Sequence, residues 1–238
     1  MMKNLTTILI AAAALGTVSC KKEVIGNGPV TAQTRTVQAF NGIDLRMNGY
    51  VYYTNSNTVK VEVVAPQSLH SIIETNVVNN QLVVRYSTGK TYDADDRIRI
   101  NVSAPNVTSL QLNTSGSIYC LNDMQPANLY LHSSGSGDIS LQKVVTNTLE
   151  IASTQSGRIT AGGGIAVTEK LKTDGSGRID VSAVATRNAT ARTIGSGDIS
   201  LRVSDNLDVT IDGSGSVYFS GYPALSSHIS GSGHIVRL

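Results

Sequence analysis

Gly135-Ser136-Gly137-Asp138-Ile139 returns as Gly175-Ser176-Gly177-Arg178-Ile179, Gly195-Ser196-Gly197-Asp198-Ile199, Gly213-Ser214-Gly215-Ser216-Val217 and Gly231-Ser232-Gly233-His234-Ile235. Degenerate copies stand at Thr114-Ser115-Gly116-Ser117-Ile118 and Gln155-Ser156-Gly157-Arg158-Ile159, and the earliest at Met47-Asn48-Gly49-Tyr50-Val51. From residue 116 on, the second Gly of each word recurs in steps of 21, 20, 20, 20, 18 and 18 residues. That period suits one rung of a β-solenoid and is too short for helical repeat arrays.

The positions around each Gly sharpen this reading. Two residues after it stand Val51, Ile118, Ile139, Ile159, Ile179, Ile199, Val217 and Ile235, all β-branched aliphatics. Such a column is what an inward-facing strand position needs when rungs stack and interdigitate. A second column runs Tyr53, Cys120, Leu141, Ala161, Val181, Leu201, Phe219, Arg237. A third runs Ile43, Leu110, Leu131, Ile151, Leu171, Ala191, Val209, Ser227. Both soften at the last rung, where solvent begins. Polar residues alternate with them, the period of strands with one wet face. The Gly-Ser-Gly words become corners, where Gly permits positive φ and close approach, and where Ser hydroxyls can bond the backbone.

The fold expected is all-β: a right-handed parallel β-helix of 18–21-residue rungs with a β-rich N-terminal cap. Eight rungs at about 4.8 Å would make a rod of roughly 40 Å. Residues 57–107 interrupt the repeat with strand-like runs such as Val59–Val63 and Leu82–Tyr86, and we read them as the cap. Leu69–Thr75 has room for one helical turn. Residues 108–238 are the regular rungs, and 36–238 form a single head domain.

Residues 1–19 read as a signal peptide, with Lys3 ahead of an apolar run from Leu5 to Val18. That run is too short to span a bilayer comfortably. Thr17-Val18-Ser19-Cys20, followed by Lys21 and Lys22, resembles a lipobox, which implies lipidation at Cys20. Residues 20–35 then serve as lipidated Cys and tether. No acidic cluster follows Cys20, which leaves the orientation in the envelope open. Cys120 is the one other cysteine, so no internal disulfide is available to the mature chain.

The remaining chemistry is sparse. Charged residues make up 15% of the chain and net charge is +2, which points away from nucleic acid. The four His show no metal spacing, and no cofactor is expected. The calcium β-roll word places its Asp two residues after the last Gly, whereas here Asp follows directly in only two rungs. Asp138, Arg158, Arg178 and Asp198 share one outward column. It reads as a salt-bridge ladder, with a charged binding strip as the alternative. Tyr50, Tyr52 and Tyr119 face outward and are expected to meet if the first rung abuts the second. They are a candidate aromatic binding surface, although Tyr also suits any pleated surface.

The Phe40-Asn41-Gly42-Ile43-Asp44-Leu45 opening, the Ala104–Leu110 stretch, the lipobox and the Gly-Ser-Gly-Asp-Ile words together resemble the head-GIN-domain family of Bacteroidetes-type lipoproteins. The resemblance covers residue 36 to the end. It implies an outer-membrane lipoprotein, on the cell surface or the periplasmic side, with an adhesin-like and non-catalytic role. Its partner would be a glycan, a protein or a neighbouring copy. Two alternatives are a polysaccharide-acting β-helix enzyme, against which the dispersed acids argue, and a purely structural envelope component.

Overall fold

In the computed structural model, residues 22–23, 26–92 and 98–238 are described. The signal peptide and Cys20 lie outside them. The fold is a three-sided parallel β-solenoid, with all three inward columns pointing into one continuous core.

The first face stacks Ser109–Leu112 on Asn128–Ser133, then residues 148–153, 168–173, 188–195 and 206–213, and ends at Ala224–Ile229. The second face carries Tyr50–Asn55, Ser117–Cys120, Ile139–Leu141, Arg158–Ala161, and so on to Ile235–Arg237. The third face is short, with register Val145, Ile165, Ala185, Arg202. Its strands run on into the first face through long continuous strands such as Gly164–Thr173.

The predicted columns are the core. Val51, Ile118, Ile139, Ile159, Ile179, Ile199 and Val217 are fully buried and pair in register from coil to coil. Tyr53 fits the second column because its hydroxyl donates to the Ala104 carbonyl at 2.9 Å; burial pushes its phenol up to about 12. Ser227 and Arg237 are exposed, as expected where the stack ends.

The N-terminal region holds a parallel coil besides the expected β-rich cap. Gln81–Tyr86 pairs in parallel with Gly42–Leu45, and Arg99–Ala104 with Tyr50–Asn55. Gln81–Tyr86 and Arg99–Ala104 thus supply the strands of a further coil, with Leu82, Val84, Ile100 and Val102 continuing the inward columns. The coil that comes first in sequence is therefore second in space, held between 81–104 and 109–120. Irregular spacing hid this coil from the repeat.

The covering strands are antiparallel. Ile73–Val78 folds back on Gln81–Tyr86, and Lys60–Pro66 pairs with Arg99–Ala104. Val30–Arg35 pairs with Lys60–Pro66, so the last six residues of the expected tether are sheet. The predicted helical turn is a single 3-10 turn slightly earlier, at Gln67–Leu69. No helix among the described residues is long and apolar enough to cross a membrane.

The corners also have a more specific cause than expected. A Cβ at Gly137 would run into the Gly116 carbonyl oxygen, and one at Gly215 into that of Gly197. Close approach, rather than positive φ, is what these second glycines supply. Hydroxyls that bond the corner backbone come from strand and corner alike: Thr193 donates to the Gly197 carbonyl at 2.7 Å, and Ser216 accepts from the His234 amide at 3.4 Å. The corner Ser136 and Ser156 instead lie 3.3 Å from each other.

Candidate binding surface

Tyr50 and Tyr52 alternate with the buried Val51 and Tyr53, which turns both outward on the second face. The register Tyr52↔Tyr119 sets the third ring beside them. Ring centroids are 5.5 Å apart for Tyr52 and Tyr119, and 6.3 Å for Tyr50 and Tyr119, with interplanar angles of 21° and 23°. The rings form a nearly parallel stacked platform.

The out-of-order coil borders it. Arg99 is registered beside Tyr50, and Asn101 beside Tyr52. Asn101 Nδ2 donates to Glu62 Oε2 at 3.1 Å, and Lys60 Nζ to Glu62 Oε1 at 3.0 Å. Those bonds, that from Lys60 foremost, hold the Glu62 carboxyl below its ordinary value, so the fringe carries a Lys60–Glu62 ion pair. Repeat spacing alone did not reveal Arg99, Asn101 or Glu62. They reach the platform only because the chain doubles back, although the strand alternation around Ile98 and Ile100 marks their outward parity.

The charge column occupies the same face. Tyr50, Ser117 and Asp138 are successive members of one position, so Asp138 lies about 10 Å from Tyr50, two strand spacings along the rod. The ladder is only partly formed. Arg178 Nη2 reaches Asp198 Oδ2 at 3.3 Å. Asp138 instead accepts the backbone N–H of Arg158 at 3.1 Å, and Asp198 that of Ser216 at 3.0 Å. Each carboxylate therefore satisfies the corner amide of the next coil. Arg158 and Arg178 stand side by side, as like charges.

Elsewhere, Cys120 is buried in its inward column and burial pushes its thiol up, as suits a core residue. Glu169 lies outside the repeat columns that the sequence makes visible. It is fully buried in the column Leu149, Glu169, Ala189, Leu207, and burial pushes its carboxyl up to about 8. Its parity with Leu171 is the signal that could have found it. Among the described residues, no group of three His, Cys, Asp or Glu could hold a metal ion.

This surface gathers three half-buried tyrosine rings in a stack, with amide, guanidinium and carboxylate groups at its edge. It can stack a planar or pyranose-like ring and hydrogen-bond its rim.

No curated protein matches the sequence. Solved structures do. A putative adhesin from Bacteroides fragilis NCTC 9343 superposes with a TM-score of 0.85 at 23% identity, covering 90% of this chain and 99% of its own. A putative lipid binding protein from Parabacteroides distasonis ATCC 8503 gives 0.75 at 20%, covering 91% and 100%. A putative adhesin from Parabacteroides merdae ATCC 43184 gives 0.77 at 18%, covering 91% and 99%. At these identities the likeness shows the shared fold. The family profile described as "Putative auto-transporter adhesin, head GIN domain" matches residues 39–223. With most of its length matched, and with the coils built as the repeats require, the chain belongs to this head GIN domain family.

Proposed function

We propose that the protein is an envelope-anchored lipoprotein whose solenoid acts as a non-catalytic, adhesin-like binding module. The surface it presents is the second face, and the ligand is a glycan. The stacked Tyr50–Tyr52–Tyr119 platform carries this reading, because three outward rings in near-parallel array offer apolar area at little entropic cost. Arg99 and Asn101 supply donors at its edge for sugar hydroxyls. The matching family supports an address in the cell envelope.

A glycan array probed with the purified head domain tests the ligand class. Substituting Tyr52→Ala or Tyr119→Ala should remove the bound signal while leaving thermal melting nearly unchanged. Binding that survives both substitutions would move the site elsewhere. Metabolic labelling with a radioactive fatty acid tests the anchor, with Cys20→Ala expected to abolish label. Protease treatment of intact cells then reports whether the rod faces outward.

A further inference from the structure

The third face is unlike the other two. Outward positions on the first face carry residues such as Lys170, Lys172 and Arg192, and those on the second carry Ser140, Thr160 and Asp180. On the third face the outward column reads Val145, Ile165, Ala185, with Val167 beside it. Ile165 is 58% exposed, Val167 42% and Val145 39%. Aliphatic residues gathered on one exposed sheet face mark a docking surface rather than ordinary scatter. Ile165, Val167 and Ala185 line a groove of about 510 Å³ that runs on to Tyr222, which is 85% exposed, with Val145 next in register beyond Ile165.

The same column then carries a cation, with Ser220 beyond it. Arg202 follows Ala185 in register, three strand spacings or roughly 14 Å from Val145. The neighbouring arginines are engaged: Arg178 with Asp198, Arg187 with Asp205, Arg192 with Asp212. Arg202 is exposed and has no carboxylate partner among the described residues. Asp205, the carboxylate at this face, is already held by Arg187 at 3.1 Å. A second copy laid strip to strip would bring to Arg202 the Asp205 that Arg187 already holds. An occupant that satisfies both ends is apolar along its length and negative at its head.

We propose that the third face binds a single-chain anionic amphiphile of the fatty-acid type, its acyl chain along Val145, Ile165, Val167 and Ala185 and its carboxylate on Arg202. The site is separate from the tyrosine platform, so either can fail without the other.

The test is calorimetric titration of the purified protein with laurate below its micelle concentration, alongside butyrate and dodecanol. Laurate should bind with one site per chain, butyrate should not bind, and dodecanol should bind more weakly. Arg202→Gln removes a charge-assisted hydrogen bond and should weaken laurate about tenfold. Ile165→Asn should weaken laurate and dodecanol alike. Both positions are exposed, and thermal melting should not move. Absence of laurate binding would overturn the proposal, as would undiminished affinity in both variants. Sedimentation run in parallel checks the rival occupant: a dimer dissolved by Ile165→Asn, without laurate binding, would make this face a contact between copies instead.

Discussion

Leu149 and Glu169 are partners in one inward column, so a carboxyl group stands where the neighbouring coil places an aliphatic side chain. Burial favours the neutral acid and raises its pKa from 4.5 to about 8, while the Thr186 hydroxyl pulls weakly the other way. As pH rises between those values, the unfolded chain releases this proton and the native chain keeps it. Stability should therefore be highest below the lower value and fall as pH rises towards the upper one, by on the order of a few kcal/mol. Glu169→Gln should flatten that slope. Denaturant melts of both proteins across this range check it.

The corner glycines should be intolerant in proportion to how near the previous coil lies. Gly137→Ala drives a methyl group into the Gly116 carbonyl and should cost about 1–3 kcal/mol. A methyl group added at Gly163 would meet nothing within 4 Å, and the backbone there has no positive φ. Gly163→Ala should therefore be neutral or stabilise by up to about 1 kcal/mol. Urea midpoints of the two variants should separate in that order.

Adjacent residues on one strand should respond in opposite ways to the same charge. Ile139 is fully buried, and Ile139→Asp would leave an unpaired charge in the core, at a cost on the order of 3–5 kcal/mol. Ser140 faces out beside Tyr119, and Ser140→Asp should stay within about 0.5 kcal/mol. Equal melting temperatures for the two variants would sink the inward column.

Cys120 should be silent while the protein is folded. Its thiolate is disfavoured by burial, and reaction needs both access and ionisation. Ellman's reagent should find no reactive thiol at this position until denaturant is added, and then one equivalent. Rapid labelling of the native protein would mean that the coil around Cys120 opens locally.

The regular coils were legible because each one repeats the same three inward positions, and stacking demands β-branched or compact apolar residues at each. Ile139 to Val217 could be ordered from spacing alone. Residues 81–104 were not legible as a coil, because a coil that doubles back keeps its strand alternation but loses the fixed step. The tyrosine platform followed from parity and rung adjacency. Its polar border did not, since Arg99 and Asn101 lie on that displaced coil. Glu169 escaped because its character contradicts its position, and only the structure shows that position enclosed.

The displaced coil also gives the rod a mechanical polarity. At the far end, Ala224–Ile229 and Ile235–Arg237 are each held along one edge only, so tension there would open the sheet like a zip, coil after coil. At the near end, Tyr50–Asn55 is gripped on both sides, by Arg99–Ala104 and Ser117–Cys120, and Val30–Arg35 is laid antiparallel over Lys60–Pro66. A pull on the N-terminal segment first loads Val30–Arg35 against Lys60–Pro66, its one partner, and reaches the doubly gripped coil after that strand has parted. An attachment under tension at that end would lose one covering strand and then meet a coil gripped on both sides, while the opposite end gives way coil by coil.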